Sequence, residues 1–173
     1  MNKTEVEKAL DEFGARVIEK ARKRLSDGNT NASGSLSKSL NFESKVSARS
    51  FEFDFYAADY WKFVDAGVKG KATSTKAPKS PYRFGSGTGR KGGLTAGIDK
   101  WVIRKGITGT RGKDGRFLKR KELVRAIARS VYMTGIRPTE FFTKSFEDEY
   151  KKLQASIGEY YGNDIENFLK KNL

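Results

Sequence analysis

The positive charge of this chain is concentrated in one stretch, and that stretch limits how the chain can fold. Residues Ala66–Arg125 contain 17 Lys and Arg residues and 3 Asp and Glu residues, a balance of +14, which is the whole net charge of the 173-residue chain. The remaining residues hold 18 basic and 18 acidic side chains. The Gly-rich loops of this stretch bury too little apolar surface to offset the entropy lost on ordering. We therefore expect them to be mobile in the free chain and to order against a partner.

Concentrated positive charge of this kind indicates a polyanionic partner, and nucleic-acid phosphate is the usual one. The alternative is a solvated, disordered Lys-rich loop without a partner. Because Lys and Arg on Gly-rich loops cannot fix a base-edge geometry, sequence-independent phosphate contact is favoured. The side chains predicted to face DNA or a partner protein are Lys69, Lys71, Lys76, Lys79, Arg83, Arg90, Lys91, Arg111, Lys113, Arg116, Lys119, Arg120 and Lys121.

Two missing residue types narrow the chemistry. The chain has no Cys and no His, which excludes disulfides and removes the usual zinc ligands and most nucleophile–base pairs. The carboxylates of Asp54, Asp59 and Asp65 are not spaced to converge, and we expect them to be solvated or ion-paired. The sequence therefore predicts no catalytic residue, no cofactor, no bound metal and no enzyme. No run of 18 apolar residues occurs, so no membrane partner is expected.

The N-terminal third predicts a helix followed by two strands. Thr4 and Glu7 form a capping-box pattern that opens an apolar helical stripe ending at Leu25. A short helical turn anchored by Leu36 and Leu40 follows. Alternation of apolar and polar residues over 40–46 and 51–55 predicts two antiparallel strands with their phenylalanines on the buried face.

The remaining segments predict mainly helices around basic loops. Tyr56–Val64 returns to helical spacing, and the stripes at 94–102 and 123–131 predict two further helices. A long helix follows Phe142, with glycines at which it can bend. The predicted fold class is α+β, as a single domain with an extended basic arm or insertion at about residues 68–121.

Three sequence features invite functional interpretations that fail or stay open. The glycines of 85–93 lack the register of a phosphate-binding loop or a dinucleotide fingerprint. The helices at 94–105 and 121–134 are too far apart for a helix–turn–helix motif. The aromatic residues Tyr56, Tyr60, Trp61 and Phe63 favour a core or a subunit interface over base stacking.

Several segments resemble, in order, the tail-completion and head–tail connector proteins of tailed bacteriophages. Ser33–Leu40 is similar to the family pattern Thr-Gly-x-Leu-x-x-Ser-Ile/Leu after the first helix. Tyr56–Gly67 resembles the Tyr-Ala segment of the family, and Gly135–Phe142 resembles its Arg-Pro-Phe-Leu entry into the last helix. The positions of this chain that carry the resemblance are Gly34, Leu36, Ser39, Tyr56, Gly67, Pro138 and Phe142.

The resemblance implies a structural subunit of the phage neck. Such a subunit assembles in the host cytoplasm into a ring of six or twelve copies between portal and tail, next to portal or adaptor and tail proteins. Double-stranded DNA passes through the lumen, and no catalytic residues are implied. Two alternatives remain: a sequence-independent nucleic-acid-binding protein acting as a monomer or dimer, and a nuclease, which would need a convergent acidic cluster for a divalent metal.

Overall fold

The computed structural model combines six helices with two small antiparallel sheets and describes residues 4–28, 33–46, 51–87, 92–109, 111, 115, 117 and 119–172. The predicted α+β class is confirmed. Strand β1 pairs with β2, and β3 pairs with β4. Among the described residues no helix is long and apolar enough to cross a bilayer. The elements in chain order are α1 Glu5–Asp27, α2 Ser35–Ser39, β1 Asn41–Val46, β2 Phe51–Tyr56, α3 Trp61–Ala66, β3 Val68–Lys69, α4 Gly93–Arg104, α5 Arg120–Thr134, β4 Gly135–Ile136 and α6 Thr143–Asn172.

The chain divides into two compact units of very different charge. The first unit comprises Met1–Gly28, Ser35–Ala58 and Glu140–Leu173, and the second comprises Asn29–Gly34 and Asp59–Thr139. The first unit contains 15 basic and 16 acidic residues, a balance of −1, whereas the second contains 20 basic and 5 acidic residues, a balance of +15. The prediction of one domain with a basic arm stays a prediction.

Aromatic side chains form the centre of the first unit, where α1, α6 and the β1–β2 hairpin meet. The Phe13 side chain is fully buried, and its ring packs edge-on against Phe53 at 5.1 Å and Phe146 at 5.6 Å between centroids. Phe55 packs in the same way against Phe142 at 5.2 Å. Each such pair contributes about 0.5–1.5 kcal/mol beyond the area it buries. The hairpin is therefore held to the helices by ring geometry as well as by burial.

The predicted burial of the hairpin phenylalanines is confirmed for Phe53 and Phe55 and wrong for Phe51. The Phe51 side chain is 40% exposed. It lies at the first residue of β2, opposite Val46, at the far end of the hairpin from the Asn41–Tyr56 pair. Its ring meets the edge of Phe53 at 6.1 Å and does not belong to the buried cluster of the unit.

The amides in the first turn of α1 are capped by residues next to it in the sequence and by a residue near the C-terminus. The predicted capping box is confirmed, since Thr4 Oγ1 accepts from the Glu7 amide at 3.1 Å and Glu7 Oε2 accepts from the Thr4 amide at 2.9 Å. The Asp164 carboxylate on α6 accepts from the amides of Glu5 at 2.9 Å and Val6 at 3.0 Å. All four of these amides thus have acceptors, and a negative charge lies at the positive end of the helix.

A buried carboxylate joins α1 to α6 near their middles. The Glu149 side chain is completely buried, and its oxygens lie 2.9 Å from Arg16 Nε, 2.6 Å from Lys20 Nζ and 3.0 Å from Lys152 Nζ. Burial alone would raise the pKa of Glu149, but the hydrogen bonds from Lys20, Lys152 and Arg16 outweigh it and lower the pKa to about 2. The charged form is therefore the one that the fold stabilises.

We expect Asp164→Ala to lower the free energy of unfolding by about 1–2 kcal/mol, because two amides lose a charged acceptor. Urea denaturation followed by circular dichroism measures the change. Glu159→Ala is the matched control, because Glu159 is an exposed acidic residue of the same helix. Equal losses in both variants would contradict the capping role.

Glu149→Gln should destabilise the chain by about 2 kcal/mol at neutral pH, somewhat below the range for fully buried pairs because the three cations stay partly exposed. Since the folded pKa of about 2 lies below the unfolded value of 4.5, this stabilisation is present above about pH 5 and disappears as the pH falls toward 2. The difference in urea midpoint between wild type and variant should therefore shrink on acidification. Glu147→Gln, at an exposed position of α6, should leave the midpoint unchanged; a constant difference down to low pH would contradict the assignment.

Candidate nucleic-acid interface

The two units differ in their ion pairs as well as in their net charge. Nine of the ten ion pairs described lie within the first unit. In the second unit, Arg120 Nε lies 3.1 Å from Asp99 Oδ1. That unit holds 20 basic and 5 acidic residues, one carboxylate for every four cations, so its positive charge is not neutralised from within the unit.

The first basic loop, residues 70–87, is fastened along its length to the strands and helix next to it. Residues Lys69 and Arg83 form a bridge, with the Lys69 amide donating to the Tyr82 carbonyl at 2.8 Å and the Phe84 amide donating to the Lys69 carbonyl at 2.9 Å. The buried Ser80 hydroxyl donates to the Gly67 carbonyl at 2.7 Å. These bonds are made without any partner molecule. The predicted mobility of the loop stays untested.

Three of the cations predicted to face DNA take part in this fastening. Lys76 Nζ donates to Thr134 Oγ1 at 2.8 Å. The Arg83 guanidinium donates to the Ser74 hydroxyl at 2.9 Å and to the Gly70 carbonyl at 3.4 Å. Lys71 Nζ lies 5.9 Å from the centre of the Tyr132 ring. These three side chains therefore help to hold the loop in place, and their contact with DNA stays a prediction.

The aromatic anchors of the basic segment dock within the second unit itself. The Tyr82 ring packs edge-on against Phe63 at 4.6 Å, and the Phe84 ring lies 5.7 Å from that of Tyr132. Trp101 on α4 remains 37% exposed. The Tyr82 and Phe84 rings therefore pack on side chains of their own unit.

Two glycines make the junction of β3, β4 and α5 possible. Gly135 has φ +87°, and a Cβ there would lie 2.4 Å from the Val68 carbonyl oxygen. A Cβ at Gly70 would lie 2.1 Å from the Met133 carbonyl oxygen. No other residue type allows these backbone segments to approach so closely. The end of α5 and the start of the basic loop are thus fixed to each other.

The second basic loop, residues 108–120, is described only in part. Arg90, Lys91, Lys113 and Arg116 lie outside the described residues. Arg111 forms a bridge with Phe117, and its guanidinium carbon lies 5.4 Å from the centre of that ring. The Phe117 side chain is 69% exposed.

The helix pair α4–α5 carries a basic surface, and of its row of cations on α5 the sequence analysis predicted only Lys121. Lys121, Arg125 and Arg129 follow one another at four-residue spacing on α5, and all three are exposed. The same helix buries Leu123 and Val124 against Val102 of α4. Arg125 and Arg129 were not predicted as site residues, although their spacing from Lys121 was a readable signal.

A groove runs between α4 and α5 beside this row. Small residues of α4 line one wall, and cations of α5 line the other. Asp99 is its carboxylate, and that group already pairs with Arg120. The α5 side of the groove is therefore basic, and the small side chains on the other side leave room for a ligand to come close to the backbone. Its lining includes Gly92 before α4, Thr95 and Ala96 of α4, and Arg120, Lys121 and Arg125 of α5.

Two expectations about individual side chains are corrected in part. Asp65 is 6% exposed at the end of α3, so it is not solvated, and its ion pairing stays a prediction. Tyr56, Tyr60 and Phe63 are 47%, 43% and 46% exposed and do not lie in a core, while their predicted role in a subunit interface stays a prediction. Tyr56 is the last residue of β2, and Tyr60 and Phe63 lie at and within the short helix α3.

The positions that carry the phage resemblance include several with structural roles. Ser39 Oγ donates to the Leu36 carbonyl at 2.8 Å and accepts from the Ala58 amide at 3.0 Å, which ties α2 to the end of the hairpin. Gly34 and Gly67 have φ of +71° and +70°. Leu36 is buried, Phe142 packs on the aromatic cluster, and Tyr56 and Pro138 are exposed.

Comparison with known proteins returns no relative: no protein-family model, no curated protein and no solved structure matches the chain. Within the described ranges, no group of three or more acidic side chains is arranged to hold a metal ion. The resemblance to neck proteins therefore depends on the motifs of the sequence alone.

We expect Gly135→Ala to destabilise the second unit by about 2 kcal/mol or more, because it adds a strained backbone conformation to a steric overlap. Gly97→Ala is the matched control, since a Cβ on that exposed glycine of α4 meets nothing within 4 Å; it should stabilise by about 0.5–1 kcal/mol. Thermal unfolding measures both. Opposite signs are expected, and a neutral Gly135→Ala would contradict the close approach.

Proposed function

We propose that this chain is a structural subunit of the neck of a tailed bacteriophage, which forms a ring around the DNA between portal and tail. The observation that carries the DNA contact is the separation of charge: a balance of −1 in the first unit and +15 in the second. The motif order that resembles neck proteins supports the assignment to the phage.

In a ring, the concentration of charge in the second unit would have a direct effect on DNA. Each cation of the second unit is repeated once per copy, so that even weakly binding side chains create a strong field around the lumen. Phosphate contact of this kind is independent of sequence, as a passing genome requires. The balanced first unit carries no such excess and is the part that can pack against neighbouring proteins without long-range repulsion.

The alternative is a sequence-independent nucleic-acid-binding protein that acts as a monomer or dimer. It is favoured by one observation: the Lys121–Arg125–Arg129 row is exposed on a packed helix of a single chain, without any partner. The two functions share the DNA contact and differ in assembly.

We expect purified virions to contain this chain in six or twelve copies at the neck, measured by quantitative mass spectrometry and by imaging of the neck with an antibody against the chain. The free chain is no test of the ring, because it can remain monomeric until it meets its partner ring. A single copy per virion, or presence only in infected cells, would contradict the neck assignment and leave the monomeric or dimeric alternative.

A further inference from the structure

We infer that the primary DNA contact of this chain is the exposed face of α5 together with the α4–α5 groove, and that it binds the sugar–phosphate backbone through Lys121, Arg125 and Arg129. The inference rests on the DNA contact of the proposed function. It narrows that contact from the basic loops to one helix face.

The first argument is geometric. Residues four apart on a helix lie on the same side, about 6 Å apart along the axis, so the three cations form a row about 12 Å long. The helix that carries them is fixed, because Leu123, Val124 and Ala128 are buried and Gly135 fixes its end. Cations on a packed helix lose less freedom on binding than cations on loops.

The second argument concerns partners. Within the described ranges, no carboxylate lies at ion-pair distance from these three side chains. The nearest acidic residue in sequence, Glu122, has its carboxylate on the Lys119 amide at 3.3 Å. Like charges at four-residue spacing repel one another on a helix. The row therefore slightly destabilises the free chain, and an external anion would relieve it.

The third argument selects nucleic acid over a protein partner. Protein interfaces depend on central apolar or aromatic anchors, whereas the exposed residues interspersed with this row are Glu122, Ala126 and Ser130. The opposing wall of the groove carries Gly92, Thr95 and Ala96, which leave room for a phosphate backbone. A row of three cations with no large apolar side chain exposed between them matches a phosphate chain better than an acidic protein.

The test compares two triple variants of the full chain that change the net charge equally. The first is Lys121→Gln, Arg125→Gln and Arg129→Gln, and Gln keeps helix propensity. The control is Lys23→Gln, Lys38→Gln and Lys151→Gln, three exposed cations of the first unit. Affinity for a fluorescent duplex of random sequence is measured by anisotropy over a range of salt concentrations.

The α5 variant should bind roughly tenfold or more weakly, and its salt dependence should fall by about one unit for each phosphate that the variant no longer binds. Its unfolding temperature should be unchanged or raised. The control should bind as wild type does. Equal losses of affinity in both variants would overturn the assignment to α5, as would a wild-type chain that fails to bind DNA at low salt. Unchanged DNA binding together with weakened binding to polyglutamate would assign the row to an acidic protein instead.

Two further variants keep the inference testable if the triple variant does not fold. Arg125→Lys with Arg129→Lys retains the charge and should retain most of the affinity and the salt slope. Because the chain has no Cys, Ala126→Cys and Glu159→Cys each provide a unique site for an environment-sensitive dye. DNA should change the emission at Ala126→Cys, beside the row, and not at Glu159→Cys. The reverse pattern would overturn the inference. Failure to find rings in virions would remove the neck function and leave these outcomes standing.

Discussion

Repulsion among the cations of the second unit is the constraint on which the rest of this structure depends. That unit holds 20 basic and 5 acidic residues, and exposed charges closer than about 8–10 Å are poorly screened at ordinary ionic strength. Its stability must come from interactions that do not depend on charge. They are the apolar contact of α4 with α5, the backbone bonds of the loop 70–87, and the close approaches at Gly70 and Gly135.

The first unit meets the opposite condition and uses charge as a cohesive force. Its cations and carboxylates alternate in pairs between α1 and α6, from Arg24 with Asp148 to Lys20 with Glu149. The Asp164 carboxylate closes the far end of the same helix pair. Because Glu149 is buried while its partners reach solvent, the cost of removing its charge from water is offset by three hydrogen bonds and not by one ideal pair. Added salt thus weakens cohesion in the first unit and relieves repulsion in the second.

The sequence predicted the features that depend on short-range patterns. The stripes of α1 and α5, the capping box at Thr4 and the alternation of the hairpin each depend on residues only a few positions apart. The Asp164 cap and the Glu149 network could not be predicted, because their partners on α1 are more than a hundred positions away and a carboxylate in the sequence does not show whether it will be buried. The fastening of the first basic loop was missed for another reason: most of its bonds end on backbone carbonyls, which every residue carries.

Arg125 and Arg129 were not among the residues predicted for the candidate site. Charge density along the chain favoured the loops, where cations are crowded in sequence, while a helix spreads its cations every fourth residue and brings them together in space. The structure assigns Lys76 and Arg83 of the loop to internal bonds, whereas the Lys121–Arg125–Arg129 row has no such bonds among the described residues. Pre-organised charge binds a polyanion at a lower entropic cost than charge that must first be ordered. In a ring, such rows would be repeated at fixed positions around the lumen, and each weak contact would raise the effective concentration of phosphate at the next. Many weak phosphate contacts, one set from each copy, would together hold a duplex. The duplex could still slide, because no single contact recognises a base.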